Sequence, residues 1–169
     1  MRENKILIVG VSAVGKSMFA RKLGEKIGLL PTHMDAIMWQ PGWKYIGNEE
    51  TVQKIREIIK GPKWLLEGFI HKSVIKEVLD ASDLILYLDY PRWLLFSRYL
   101  KRSWQHRKET RPEMPGCPDR FSFEFLLRIL KKKEVYWLER ELGSGNYEAK
   151  LRIIKSPTEA AVLLNSFDS

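Results

Sequence analysis

Gly10-Val11-Ser12-Ala13-Val14-Gly15-Lys16-Ser17 fits the pattern G-x-x-x-x-G-K-[ST] at every fixed position. Residues of these types at this spacing bind a polyphosphate. A loop that wraps an anion with backbone N–H groups must lose its side chains at the tight points, as Gly10 and Gly15 do. Ser12, Ala13 and Val14 supply amides, Lys16 a mobile ammonium for the β- and γ-phosphates, and Ser17 a hydroxyl for Mg²⁺. Met18 continues the set into the following helix, whose positive end faces the anion. The expected ligands are ATP, or a close relative, and Mg²⁺. A chance match in a chain of this length arises on the order of one time in a hundred.

Two carboxylates stand where strands are expected to end. Asp35 follows the second strand and Glu67 the third. Ligands of parallel sheets gather beyond the carboxyl ends of strands, so both acids could face the cradle. Glu67 would then orient Mg²⁺ through water, and Asp35 would hold a substrate hydroxyl or act as base. The alternatives are a helix N-cap for Asp35 and a solvated strand-end acid for Glu67. Asp89, before Pro91, reads better as a cap.

Phosphoryl transfer needs positive charge around the moving group more than it needs covalent chemistry. Arg98 and Arg102 lie four residues apart on an expected helix and share a face, while Arg107 and Arg111 lie in a loop that could close over the phosphates. Solvated surface arginines are the competing reading. Trp39, Trp43 and Trp104 could stack a base or nucleoside, or simply pack. Lys131-Lys132-Lys133 reads as a solvated helix face, His71 as a helix-start residue and Cys117 as an inert thiol.

Short apolar runs alternating with helical periodicity position these residues. Strands are expected over 5–9, 32–34, 64–66, 84–88 and 151–154. Helices are expected over 15–27, 49–59, 71–79, 91 to about 103, 121–142 and 158–164, the long one ended by Gly143-Ser144-Gly145. Residues 105–120, with three prolines and many charges, read as a loop or lid. The result is an α/β fold: one domain over 1–169, with helices on both faces of a five-stranded parallel sheet.

The succession of strand, cradle and helix, then Asp35, then Glu67-Gly68, is similar to the adenylate-kinase-like nucleoside and nucleotide kinases of the P-loop NTPase class. Over its whole length the chain resembles the bacterial DNA topology modulation (FlaR-related) proteins. The shared segments are His33-Met34-Asp35, Trp39-Gln40-Pro41-Gly42-Trp43, Glu67-Gly68, Leu88-Asp89-Tyr90-Pro91-Arg92-Trp93, Arg111-Pro112-Glu113-Met114 and Gly116-Cys117-Pro118. The resemblance implies strand order 2-3-1-4-5, ATP–Mg²⁺ binding and phosphoryl transfer to a small acceptor. It also implies that arginines before the loop close over the phosphates and that adenine rests near Ser156-Pro157-Thr158. The family's usual Asp-Gly-Asn after the third strand stands here as Glu67-Gly68-Phe69, a longer acid and a lost amide.

The whole-chain numbers narrow the function classes. The 169 residues are 44% hydrophobic and 30% charged, the mix of a soluble globular domain. The N-terminal apolar run of about five residues is too short for a signal peptide, so a cytoplasmic location is expected, with no membrane partner. One cysteine excludes an intrachain disulfide. The net charge of +8, with a pI near 9.6, favours anionic partners. Two functions compete: a small-molecule kinase acting on a nucleoside, nucleotide or similar acceptor, and a nucleotide-dependent nucleic-acid-binding protein. The second lacks a helix-turn-helix, zinc-finger or RNA-recognition signature. The absence of Asn-Lys-x-Asp speaks against a GTP switch. A monomer or homodimer is expected.

Overall fold

The computed structural model describes residues 4–105, 110, 113–118 and 121–167. Its centre is a fully parallel sheet of β1 (Lys5–Gly10), β2 (Pro31–His33), β5 (Trp64–Glu67), β6 (Leu84–Leu88) and β7 (Leu151–Ile154). The spatial order β2-β5-β1-β6-β7 is the expected 2-3-1-4-5 when the sheet strands are counted along the chain. Ile8 of β1 pairs with Glu67 of β5, and Gly10 with Leu88 of β6, so the loop after β1 leaves the sheet beside two other strand ends.

The central strands carry apolar residues on both faces, as a sheet covered twice requires. Ile6, Leu7, Ile8, Leu65, Leu66, Ile85 and Leu86 are all fully buried. Each such side chain contributes roughly 1.5–3 kcal/mol of transfer free energy. Helices α1 (Lys16–Ile27) and α8 (Pro157–Asn165) pack together as one layer. On the other side, α4 (Ile75–Ala81) joins α3 (Asn48–Lys60) to α7 (Tyr136–Ser144). Phe19, Ala20 and Leu23 form the inner face of α1, and Gly28 closes that helix in the left-handed conformation. Among the described residues no helix is long and apolar enough to cross a membrane.

Three features depart from the sequence reading. Strand two is Pro31–His33, and Met34 to Met38 form a short helix, α2, so Asp35 lies in a first helical turn and His33 holds the N-cap position. A two-stranded antiparallel ribbon, β3 (Trp39–Gln40) and β4 (Lys44–Tyr45), follows where none was expected. It is held from outside, because the Gly42 amide donates to Gly116 O at 2.8 Å and Trp43 Nε1 to Pro118 O at 3.0 Å. Two of the segments that carried the family resemblance therefore dock on each other. The buried Cys117 thiol donates to Gln40 O at 3.3 Å within that contact, which fits the inert-thiol reading.

The third departure is the long helix expected over 121–142. It is two helices, α6 (Phe123–Leu130) and α7, joined by a 3₁₀ turn over Lys133–Val135. Lys132 takes a left-handed conformation (φ 52°) at the break, and its ammonium binds the Asp89 carboxylate. The expectation of a solvated lysine face fails at Lys132 for this reason. Leu126 and Ile129 are buried before the break, and Val135 and Leu138 after it. A continuous helix would have turned Lys132 and Lys133 toward the core instead. The N-terminal cap of α6 is the Ser122 hydroxyl, which accepts from the Phe125 amide at 3.2 Å.

Candidate functional site

The cradle joins β1 to α1 with two glycines in conformations that L side chains rarely adopt, Gly10 at φ 147° and Gly15 at φ 102°. A Cβ on Gly10 would stand 2.5 Å from Leu88 O, so the loop turns too close to β6 for any side chain. Gly15 precedes the first residue of α1, which aims the free amides of that helix into the loop. Lys16 Nζ lies over the loop and donates to Val11 O at 3.0 Å.

At the carboxyl end of β5, Glu67 is buried, with 4% of its surface exposed. This overturns the reading of a solvated strand-end acid. A buried carboxylate must be hydrogen-bonded to be tolerated. Ser17 Oγ donates to Glu67 Oε1 at 2.9 Å, and His33 Nδ1 lies 2.5 Å from the same oxygen. Burial is the largest single influence on this carboxyl and pushes its pKa up. The His33 hydrogen bond and the charges of Lys16 and His33, helped by Ser17, together outweigh it, and the net shift is downward. Glu67 is thus held as an anion beside the hydroxyl expected to meet Mg²⁺.

The residues present fit such an ion. Among the described residues no cluster of three or more His, Cys, Asp or Glu could hold a metal unaided. A cation that keeps its waters and takes most remaining ligands from phosphate needs only a hydroxyl and a nearby carboxylate. Ser17 and Glu67 meet that need.

Three described arginines line the cleft over the cradle, and Arg98 also bonds the loop itself. Helix α5 (Arg92–Gln105) carries Arg98, whose guanidinium donates to Val14 O and sits over the Tyr90 ring at 5.1 Å. A Cβ on Gly15 would lie 3.0 Å from Arg98 Nη1, so the second glycine leaves room for this arginine as well as for phosphate. Arg102, half-buried over Tyr99, lines the same cleft. That cleft, about 430 Å³, is lined also by Ala13, Lys16, Ser17 and Met18 and by Asp35 and Glu67. Arg21 also lines it and pairs with Glu113 at 2.9 Å. The expected Arg107 and Arg111 lie outside the described residues.

A second, smaller cavity of about 30 Å³ opens beside Gly10, Ser12 and Lys16, toward Phe69, Ile70 and Leu138. Asp35 lines both spaces. Glu134, from the 3₁₀ turn, also enters the small cavity, where its Oε2 accepts from the Ser12 amide at 2.8 Å. Sequence reasoning missed both Glu134 and His33. The only trace of Glu134 in the sequence is the slip in apolar rhythm between Ile129 and Val135.

The expected stacking residue Trp39 lines neither space. Its ring packs edge-on against Trp43 at 5.7 Å and tilted against Tyr45 at 5.2 Å. Trp104 stands on α5 with 77% of its surface exposed. Ribbon packing therefore explains Trp39 and Trp43, and the structure brings neither to the cradle.

No protein-family model and no curated protein matches the chain. Solved structures do match. A gluconokinase from Sinorhizobium meliloti 1021 superposes with a TM-score of 0.57 at 16% identity, over 98% of this chain and 93% of that one. A shikimate kinase from Bacteroides thetaiotaomicron gives a TM-score of 0.60 at 13% identity, over 98% and 96%. Likeness at this identity establishes the fold, the P-loop kinase fold, across nearly the entire chain.

Proposed function

We propose that this chain is a small-molecule kinase that transfers the γ-phosphoryl group of ATP to a hydroxyl of a small acceptor. The observation that carries the reading is the position of Asp35, which faces both the arginine-lined cleft and the cavity beside Phe69. An acid between a donor space and an acceptor space is where a phosphoryl-transfer base belongs. Two of the structural neighbours are a gluconokinase and a shikimate kinase, and both names are consistent with a small acceptor.

In this mechanism Gly10 to Ser17 hold the donor phosphates, and Lys16 leaves Val11 O to reach the β- and γ-phosphates. Mg²⁺, when bound, neutralises charge on those phosphates. Ser17 and Glu67 would hold it, the carboxylate acting through water. Arg98 and Arg102 stabilise charge spread over the transferring group. Asp35 orients the acceptor hydroxyl and takes its proton. Of the basic stretch that could speak for nucleic acid, Arg98 bonds the cradle and Arg102 lines the same cleft, which favours a phosphate role for these two. The expected closer resemblance to DNA topology modulation proteins finds no support among the comparisons and adds no step.

The test is ATP consumption against a panel of nucleosides, mononucleotides and small polyhydroxyl compounds. One acceptor or acceptor class is expected to raise turnover above the slow background, and Asp35→Asn is expected to abolish that stimulation. A flat response across the panel would end the kinase reading.

A further inference from the structure

Ser12 supplies one of the amides with which a cradle of this pattern is expected to wrap phosphate, yet a carboxylate of the chain itself takes that amide. Glu134 Oε2 accepts from the Ser12 N–H at 2.8 Å, across 122 positions of sequence. A carboxylate oxygen on a backbone N–H makes the same charge-assisted contact that a phosphate oxygen would make there. Beside it, Lys16 Nζ donates to Val11 O at 3.0 Å, so the cation of the loop is likewise held by the protein.

The backbone around Glu134 is arranged to deliver this contact. Lys132 turns left-handed at φ 52°, a conformation that residues with side chains seldom adopt. That turn separates α6 from the 3₁₀ segment Lys133–Val135, from which Glu134 reaches the loop. The segment is anchored on both sides. Before it the Lys132 ammonium binds Asp89, and after it Val135 and Leu138 are buried in the core. Glu134 itself is only half-buried, so its side chain can leave the amide for water while the anchors hold. Ser12, Lys16 and Asp35 line both the arginine-lined cleft and the space beside Phe69. Ser12 therefore stands where the kinase reading puts the phosphoryl group in transit, with the amides at the start of α1 serving the phosphates behind it.

We propose that Glu134 is a displaceable stand-in for the terminal phosphate: its carboxylate holds the Ser12 amide, ATP binds by expelling it, and it returns once the γ-phosphoryl group has gone. The inference rests on the reading of ATP as donor. One N–H cannot serve a carboxylate and a phosphate oxygen at once, and two anions at contact distance repel each other in a partly dehydrated site. Glu134 therefore weakens the binding of ATP and leaves ADP, which lacks the terminal group, far less affected. It sets donor affinity through the Ser12 amide and takes no part in the proton transfer assigned to Asp35.

The experiment is calorimetry of ATP, ADP and inorganic tripolyphosphate, each with Mg²⁺, on wild type, Glu134→Gln and Glu134→Ala. Glu134→Gln keeps the shape and a carbonyl acceptor for Ser12 while removing the charge. The variants are expected to bind ATP and tripolyphosphate about tenfold or more tighter than wild type, with a smaller gain for ADP. A residue that merely shaped the loop would give the opposite sign, because its loss would loosen the cradle and weaken all three ligands. Thermal unfolding checks that the variants fold. Where one does not, the other carries the comparison, and failure of both would make Glu134 a structural residue and overturn the proposal. Unchanged or weaker ATP binding in Glu134→Gln would also overturn it, and an equal gain for ADP would overturn the assignment to the terminal phosphate. The measurement uses no acceptor, so such results remove the proposal while the acceptor panel still decides the kinase reading. Binding of ATP by none of the three proteins would remove both.

Discussion

Ser17 Oγ donates a hydrogen bond to Glu67 Oε1 at 2.9 Å, tying the first turn of α1 to the end of β5. The two residues are fifty positions apart, and they meet because Ile8 of β1 pairs directly with Glu67. His33, opposite Glu67 in the β2–β5 register, completes the cluster. The carboxylate therefore orients the hydroxyl while a ring nitrogen holds the carboxylate.

Glu67→Gln keeps the shape and removes the charge. If Ser17 and Glu67 jointly position Mg²⁺, the variant should need more Mg²⁺ for half-maximal ATP turnover, by roughly 10–100-fold. A Mg²⁺ titration of turnover checks this, and an unchanged midpoint would place Glu67 outside the metal's surroundings.

The same carboxyl predicts a pH dependence of stability. Its pKa is lower folded than unfolded, so its contribution is present above the ordinary glutamate value, about 4.3. That contribution is lost as pH falls through the lower folded value. In metal-free buffer, the stability difference between wild type and Glu67→Gln, from urea unfolding, should therefore shrink as the solution is acidified from neutral toward that range. A difference independent of pH would contradict the assignment of Glu67 as a stabilised anion.

Arg98 holds Val14 O from outside the loop, so its removal loses both a loop contact and a charge near the phosphates. Arg98→Ala should lower kcat by about ten- to a thousandfold, with a smaller effect on global stability. Steady-state ATP consumption with thermal unfolding in parallel separates the two. A stability loss with full turnover would make Arg98 a structural residue only.

Gly10→Ala brings a Cβ to 2.5 Å from Leu88 O and forces an alanine to φ 147°. The substitution should destabilise by about 1–3 kcal/mol and weaken ATP binding. Chemical denaturation and calorimetry check both, and a variant as stable as wild type would mean that the loop can retreat from β6.

What the sequence disclosed followed from how local each feature is. The cradle was legible because Gly10, Gly15, Lys16 and Ser17 answer to one local demand, a backbone wrapped round an anion. The sheet was legible because runs such as Ile6 to Val9 and Leu84 to Leu88 are apolar on both faces. The β3–β4 ribbon was not, because strands of two residues have no pattern of their own and depend on Gly116 and Pro118, some seventy-five residues away. Glu134 was hidden for a related reason. Its place beside Ser12 depends on a left-handed Lys132, and three lysines in a row concealed the break. Trp39 misled because an aromatic near a nucleotide motif suits stacking and packing equally well, and only the contact with Trp43 and Tyr45 separates them.

Transfer of labelled phosphate from the γ position of ATP to an acceptor, by wild type and by Lys16→Ala, tests the central claim most directly. The account predicts label on an acceptor hydroxyl with wild type and none above background with the variant, whose fold is verified by circular dichroism. Equal labelling by both proteins, or unchanged ATP affinity in Lys16→Ala, would contradict it.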